Sequence, residues 1–376
     1  MNNVITLISM LMSFLAVTGA FALFPYVSRK TTIFGVSVPE GVYDDPRVAR
    51  IRKAYIMGVC IAGLLFATGV VLLWYLTGAD AAAQGIWLSV LVFVNLFVNG
   101  AVYLRAYRGM KRLKAEEDWN KDAPQLVTID TGFRKKKTMI SPLYFIAYLV
   151  VIAATAAVSF LRYDALPSMI PVTFDNAGNA VGFMEKSYRL LLNMPGVQLI
   201  ITMIMLFVYY SISKSRQQVD PANRDVSLTQ NVIFRRRWSA FTVFCGLGMV
   251  SVFGIIQLSI LGILSSSVTV ILSLLLPAAI IIYVIVLAVS TGQSGSRVKV
   301  DKGDYPPAKA AAVREDDSNW KFGAWYYNPD DPSLFVEKRV GIGWTVNWAR
   351  PMAWVIILGI LALVAGSLIF SFSTGR

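Results

Sequence analysis

Ionic side chains keep out of most of this chain. Eight apolar runs, at about residues 4–24, 54–76, 86–104, 139–161, 194–212, 238–260, 268–289 and 352–370, contain none of its 35 basic and 22 acidic residues. A helix rises about 1.5 Å per residue, so roughly 20 residues cross the ~30 Å hydrocarbon layer of a bilayer, and each run is of that order. A charge placed at mid-span costs about 2.5–3.5 kcal/mol on insertion scales. Segregation this strict predicts an all-α integral membrane protein with about eight transmembrane helices.

The remaining charges are sorted by side. Loops after the first, third, fifth and seventh runs hold 31 of the 35 Lys and Arg together with 18 acidic residues, and so carry the whole net charge of +13. The opposite loops pair Arg162, Lys186, Arg189 and Arg376 with Asp80, Asp164, Asp175 and Glu185. By the positive-inside rule the basic face is cytoplasmic and both termini are extracellular. Only Met1, Asn2 and Asn3 precede the first run. It lacks the positive leading region of a cleaved signal peptide and is expected as a retained helix.

Basic residues flank the apolar runs, as at 134–137 and 235–237, so the expected counter-charge is anionic lipid of the inner leaflet and not nucleic acid. Cys60 and Cys245 lie in the middle of such runs, where a thiol behaves as a small apolar group, and no disulfide framework is implied. His is absent from the sequence, which removes the commonest metal ligand and the commonest general base together.

Six regions are expected. Residues 1–138 form a three-helix membrane region with its cytoplasmic loops, 139–212 a helix pair with an extracellular loop, and 213–290 a second pair. Residues 291–319, rich in Gly, Ser, Lys and Asp, read as a flexible cytoplasmic linker. Residues 320–351 read as a small aromatic cytoplasmic element, and 352–376 as the last helix. In the aromatic element, β-branched and aromatic residues are broken by the turn cluster Asn328-Pro329-Asp330-Asp331-Pro332, which predicts one or two short strands. Five tryptophans at and after Trp320 suit a body lying against the lipid interface. Residues 33–45 read as extended chain and turn, after which Asp45-Pro46 has the form of a helix start. Pro142 and Pro195 sit near helix starts, whereas Pro277 at mid-span should kink its helix.

The extracellular loop at 166–187 is the sharpest local signal. Pro167 and Pro171 force the residues before them into extended conformations, and Asp175-Asn176-Ala177-Gly178 supplies a turn. Two readings follow from the loop's chemistry. It is either a connector that tucks Leu166, Ile170 and Phe174 onto the bundle, or a ledge that recognises a ligand or peptide.

This segment resembles the signature of a bacterial membrane family of unknown function, Leu-Pro-x-x-Ile-Pro-x-His-Phe followed by a Gly turn and a Lys. That signature is shared with the immunity protein against a sporulation-delaying peptide toxin. Leu166, Pro167, Ile170, Pro171, Phe174, Gly178 and Lys186 match, and Thr173 stands where the pattern has His, so no imidazole is available there. These eight residues make up the candidate ledge. The cytoplasmic segment resembles a second uncharacterised domain found on the same chains, through Tyr326-Tyr327-Asn328-Pro329-Asp330-Asp331-Pro332 and the words from Val340 to Asn347. Its candidate partner surface comprises those seven residues together with Gly341, Gly343, Trp344, Asn347 and Arg350. The resemblance implies a bacterial plasma-membrane location and self-protection against a membrane-active peptide.

Other constellations carry little chemistry. The pairs Asp44/Asp45, Asp316/Asp317 and Asp330/Asp331 read as turn and helix caps. Gly341-x-Gly343 lacks the third glycine of a nucleotide loop. Ser265, Ser266 and Ser267 have no base to activate them. No ionisable residue lies in an apolar run to couple transport to an ion, and Asn95, Asn99 and Gln257 read as interhelical hydrogen-bonding groups. No catalytic residue, metal site or cofactor is therefore expected, and the chain reads as non-enzymatic. Immunity or envelope-stress protection comes first among its expected roles, with a toxin peptide as partner outside and a regulator protein inside. A carrier or flippase for a lipid or small amphiphile, and a membrane signalling adaptor, are the alternatives.

Overall fold

A computed structural model of the chain describes residues 2–77, 81–117, 119, 138–174, 180–217, 219, 223–300 and 316–374. Its helices are α1 (Asn2–Val27), α2 (Pro46–Thr77), α3 (Ala81–Glu117), α4 (Ile146–Leu161), α5 (Tyr188–Lys214), α6 (Arg224–Ile260), α7 (Ser266–Thr291) and α8 (Pro351–Thr374). Every apolar run overlaps one of them, although 139–145 precede α4 and include a 3-10 turn at Pro142–Phe145, and the apolar helix found in α8, Pro351–Ala362, is shorter than the others. Seven helices among the described residues are long and apolar enough to cross a membrane.

Hydropathy marks the uncharged part of a helix and not its ends. Both α3 and α6 run to 37 residues, adding 105–117 and 224–237 to the apolar stretches. Residues 105–117 are rich in Arg, Lys, Ala and Glu, which favour helix in water, whereas 224–237 have weaker propensity and are held by packing, with Leu228, Asn231, Phe234 and Arg235 buried along one side. Helix α5 begins at Tyr188, where the Ser187 hydroxyl accepts from the Leu190 N–H (3.2 Å). Pro195, expected near a helix start, is thus its eighth residue and is buried. Helix α7 is continuous through Pro277. Asp45 caps α2 as expected, accepting from the Arg47 N–H at 2.7 Å. The Arg47 side chain, hydrogen-bonded to the same carboxyl, draws its pKa down to about 2.

Short strands are more widespread than the sequence predicts. Four two-stranded antiparallel ladders occur: β1 (Thr32–Ile33) with β2 (Val36–Ser37), β3 (Met169–Phe174) with β4 (Ala180–Glu185), β5 (Trp320–Lys321) with β6 (Trp325–Tyr326), and β7 (Phe335–Glu337) with β8 (Trp344–Val346). Only the last two lie in the segment from which strands were expected.

The chain divides into two compact units, the first comprising Met1–Thr6, Gly132–Ser213 and Val232–Thr291. A polar seam runs through this unit's apolar core. Val243, Val250 and Gln257 lie seven residues apart on α6 and are all buried, the spacing that keeps one face of a helix toward its neighbours. Opposite them, the Tyr148 hydroxyl of α4 donates to the Val243 carbonyl. The Gln198 amide of α5 donates to the Val250 carbonyl (2.9 Å) and to Thr155 (3.2 Å). The Gln257 amide donates to Ser159 (2.7 Å) and to the Leu191 carbonyl (3.2 Å). Each link is an interhelical bond of the kind worth about 0.6–2 kcal/mol in an apolar medium.

The second unit comprises Leu7–Thr131, Lys214–Asn231 and Gly292–Arg376. Helices α2 and α3 pack antiparallel along their lengths, with Gly109 against Ile51, Gly58 against Val102 and Gly69 against Leu91. Gly63 admits Thr18 of α1 into the same layer. At one end of α2 and α3 the core continues into Ile33, Phe34, Val36 and Val38, which pack with Val48, Tyr55, Ala106 and Met110.

The close contacts in the first unit set up a paired test. A Cβ added at Gly246 would lie 2.3 Å from the Tyr148 hydroxyl and 2.5 Å from a Met205 carbon, whereas nothing lies within 4 Å of one added at Gly196. Gly246→Ala is expected to cost about 1–3 kcal/mol by overpacking. Gly196→Ala should be neutral or gain up to about 1 kcal/mol from helix propensity. Thermal unfolding of the detergent-solubilised variants checks the order.

Candidate functional site

The second unit contains a small folded body that begins with two tight turns of the same composition. Phe34-Gly35 joins β1 to β2, and Phe322-Gly323 lies between β5 and β6, and all four residues have positive φ: +47° and +79°, then +53° and +71°. The first is a two-residue hairpin turn with both central residues left-handed, the form that matches strand twist. A phenylalanine in that region is an outlier, since its Cβ crowds the following carbonyl at a cost of about 1–2 kcal/mol. The turns interlock: a Cβ on Gly35 would meet the Gly323 carbonyl oxygen at 2.3 Å, and one on Gly323 would meet the Phe34 oxygen at 2.9 Å. The Tyr103 hydroxyl of α3 is within hydrogen-bond distance of both phenylalanine carbonyls, at 3.2 Å (Phe34) and 3.1 Å (Phe322).

Three carboxylates then fix residues 316–350 to distant parts of the unit. Asp317 accepts from the Ser37 N–H (3.1 Å), from Lys114 of α3 (2.7 Å) and from Arg339 (2.5 Å). Arg339, itself buried, also pairs with Asp316 and donates to the Gly35 carbonyl (2.9 Å), with its guanidinium 5.1 Å from the Trp320 ring centre. Glu337 is fully buried and receives Arg29, just beyond α1, at 2.8 Å and Asn231 of α6 at 2.7 Å. Ser294, in the turn after α7, donates to the same carboxylate. Asp331 receives Arg216, just beyond α5, at 2.5 Å and the Tyr326 hydroxyl at 2.8 Å. Alongside the last pair, Arg216 and Val336 form a parallel bridge.

Charge and burial compete at these sites. Burial pushes the carboxyls of Asp317 and Asp331 up, but their donors outweigh it and hold both below the usual carboxylate value: Arg339 and Lys114 for Asp317, the Ser333 N–H, Tyr326 and Arg216 for Asp331. Burial and the hydrogen bond to Asp331 both raise the Tyr326 phenol.

Most of the residues singled out on the aromatic element turn inward. Asn347 is fully buried and uses all its capacity, its oxygen accepting from Asn328 (3.1 Å) and Ala349 (3.2 Å) and its amide donating to the Asn328 (2.8 Å) and Asp331 (3.1 Å) carbonyls. Arg350 closes the same turn through the carbonyls of Asp331 and Pro329. Gly341, at φ +72°, donates its N–H to Ser28, and Gly343 exchanges hydrogen bonds with Gln293. Trp344 lies opposite Glu337 in the β7–β8 ladder. Tyr326 and Asp331 are buried, leaving Tyr327, Pro329, Asp330 and Pro332 as exposed members of the set.

One expectation needs correction. Asp316 and Asp317 are ion-pairing residues, not simple caps: the short helical turn at Asp317–Asn319 has no side-chain cap, and both carboxylates go to Arg339. Of the segment expected as a tether, residues 301–315 lie outside the described residues, while Gln293 and Ser294 are buried after α7 and Asp316 and Asp317 are engaged before β5. Arg29, Asn231, Glu337 and Arg339 escaped notice because each is matched by a residue far away in sequence. The one local signal was the repeated Phe-Gly word.

The loop after α4 is the β3–β4 hairpin, with a register shift at residues 171–174. Ile170 is fully buried and Leu166 half-buried, while Pro167 is exposed. Lys186 ties the hairpin down, donating to the carbonyls of Tyr163 (3.3 Å) and Leu166 (3.2 Å) with its ammonium 4.8 Å from the Tyr163 ring centre. Tyr163 in turn stacks on Tyr188 at 4.0 Å. Thr173 pairs with Gly182 and Phe174 with Ala180 in the ladder, and Gly178, with its turn, lies outside the described residues.

Two measurements test the carboxylate clusters. Glu337→Ala leaves Arg29 facing a buried site without its carboxylate and should cost about 3 kcal/mol, lowering the unfolding midpoint by roughly 6–12 °C. The Asp317 carboxyl titrates lower folded than its unfolded value near 3.8, so its stabilisation is complete above that value and is lost as pH falls through the folded one. Protease resistance of residues 316–350 should hold from pH 7 to 5 and fall below about pH 4. Asp317→Asn should weaken the body at neutral pH and flatten that acid dependence.

Comparison with known families places residues 329–354 in the range of a family of unknown function (DUF5808). The match includes Asp331, Glu337, Arg339 and Asn347, but it spans a small part of the chain and leaves the β3–β4 hairpin outside. No curated protein matches the chain. No solved structure matches it either.

Proposed function

We propose that this chain is a non-enzymatic, multi-pass protein of a bacterial plasma membrane that protects the cell from a membrane-active peptide by binding it at the β3–β4 hairpin. The observation that carries this reading is the hairpin's outward face. Met169 and Phe183 are about half exposed, at 48% and 51%, and the ladder places both on the side away from buried Ile170. A two-stranded ladder has free backbone groups along its edges, and an extended peptide can add to such an edge while its apolar side chains rest on the exposed face. Pro171 in β3, and Pro167 just before it, limit where an added strand can pair, since neither has an N–H to give. Lys186, Tyr163 and Tyr188 hold the hairpin's base, so little ordering remains to be done on binding.

In this reading the hairpin faces outward and the 316–350 body faces the cytosol, as the distribution of Lys and Arg implies. The body then serves to hold the helix ends of the second unit together, with its exposed residues free for a regulator.

Expression in a sensitive strain, with survival scored across a panel of apolar and amphipathic membrane-active peptides, is the direct test. Protection against at least one peptide is expected, reduced about tenfold or more by Phe183→Asp and by Lys186→Ala at equal membrane abundance. Equal survival with and without the protein for every peptide would remove the proposal.

A further inference from the structure

Three neighbouring tryptophan rings link the body to the start of α8. Trp354, in the first turn of α8, stands 5.3 Å from Trp348 and donates its indole N–H to the Trp348 carbonyl at 3.2 Å. Trp348 stands 6.2 Å from Trp325. Trp325 is 61% exposed and Trp354 52%, and Phe322, at the tip of the same β5–β6 hairpin as Trp325, is 55% exposed. This is a large apolar surface for a body otherwise closed by ion pairs.

Two helices independently fix its level. Helix α8 is uncharged from Pro351 onward, so Trp354 marks the beginning of an apolar span. Tyr103, which holds the Phe322 carbonyl, is the second-last residue of the uncharged stretch of α3, which ends where Arg105 and then Arg108 appear, both exposed. Phe322 and Trp354 are therefore both anchored where an apolar helix meets its charged flank, the depth at which tryptophan and tyrosine are enriched in membrane proteins. Lys321, exposed beside Phe322, adds positive charge of the sort that anionic headgroups attract. The left-handed backbone at Phe322 is a conformation a glycine would adopt more easily, so the ring gains something by standing there.

We propose that Phe322, Trp325 and Trp354 form an aromatic foot that rests in the headgroup layer of a lipid bilayer containing anionic lipid, holding the 316–350 body flat against the membrane. The proposal rests on α3 and α8 crossing that bilayer, and the test separates the two claims. Nitroxide labels are attached at Phe322→Cys, Asp330→Cys and Leu361→Cys, each in a Cys60→Ser, Cys245→Ser background, in nanodiscs containing anionic lipid. Collision with oxygen and with a water-soluble nickel complex reports depth. The expected order is Leu361 deep in the hydrocarbon, Phe322 at the headgroup level, and Asp330 in water, with Phe322 nickel accessibility severalfold below that of Asp330. If Leu361 is deep while Phe322 is as open to nickel as Asp330, the foot does not exist. If Phe322 is shielded from both reagents, a protein and not lipid covers it, and the proposal is again overturned. If Leu361 is itself open to nickel, the bilayer-spanning reading of α8 fails and the foot with it.

Discussion

Glu337 has no access to water, and its charge is answered by groups from three other parts of the chain. A carboxylate buried this completely is tolerable only when its desolvation is offset by good donors, and Arg29, Asn231 and Ser294 supply them from beyond α1, from α6 and from the turn after α7. Much of the second unit depends on that arrangement. Once β7 is fixed by Glu337, its neighbour Arg339 is positioned to collect Asp316, Asp317 and the Gly35 carbonyl, which brings the two Phe-Gly turns together under Tyr103. Asp331 repeats the device toward α5 with Arg216.

The first unit is held in a different way. Among the described residues its helical seam holds no ion pair, and its specificity comes from hydroxyl and amide groups: Tyr148 and Gln198 reach the carbonyls of Val243 and Val250, seven residues apart on α6, and Gln257, seven further on, reaches Ser159 and the Leu191 carbonyl. Glycines at 246 and 254 make room for Tyr148 and for the Thr155–Gln198 pair. Neutral hydrogen bonds suit an apolar surrounding where a full charge would be too costly, while the charged clusters draw partners such as Arg29 and Arg216 from just beyond helix ends.

What could be read from the sequence follows the range of the physics involved. Exclusion of charge from apolar runs acts residue by residue, so all eight helices were visible, and the overhangs of α3 and α6 were missed because polar and charged residues leave no hydropathic mark. The strands at 335–346 were anticipated from β-branched and aromatic residues around a turn cluster, whereas around β3 only the extended residues before Pro167 and Pro171 and the turn after them were read, and β4 was not foreseen. Ion pairs such as Arg29–Glu337 join residues 308 apart and have no local signature. Asp316 and Asp317 looked like caps because adjacent aspartates usually are, and their true partners are Lys114 on α3 and Arg339 just after β7. The inward turn of Asn347 and Asp331 was equally hidden, since a polar residue in a turn gives no sign of which way its side chain points.

The attachment of Arg29 has a mechanical corollary. Because that side chain follows α1 by only two residues and is bonded to a carboxylate with no freedom of its own, α1 cannot slide along its axis like a piston without breaking the pair. Any signal passed along α1 would have to travel as a pivot about this fixed end.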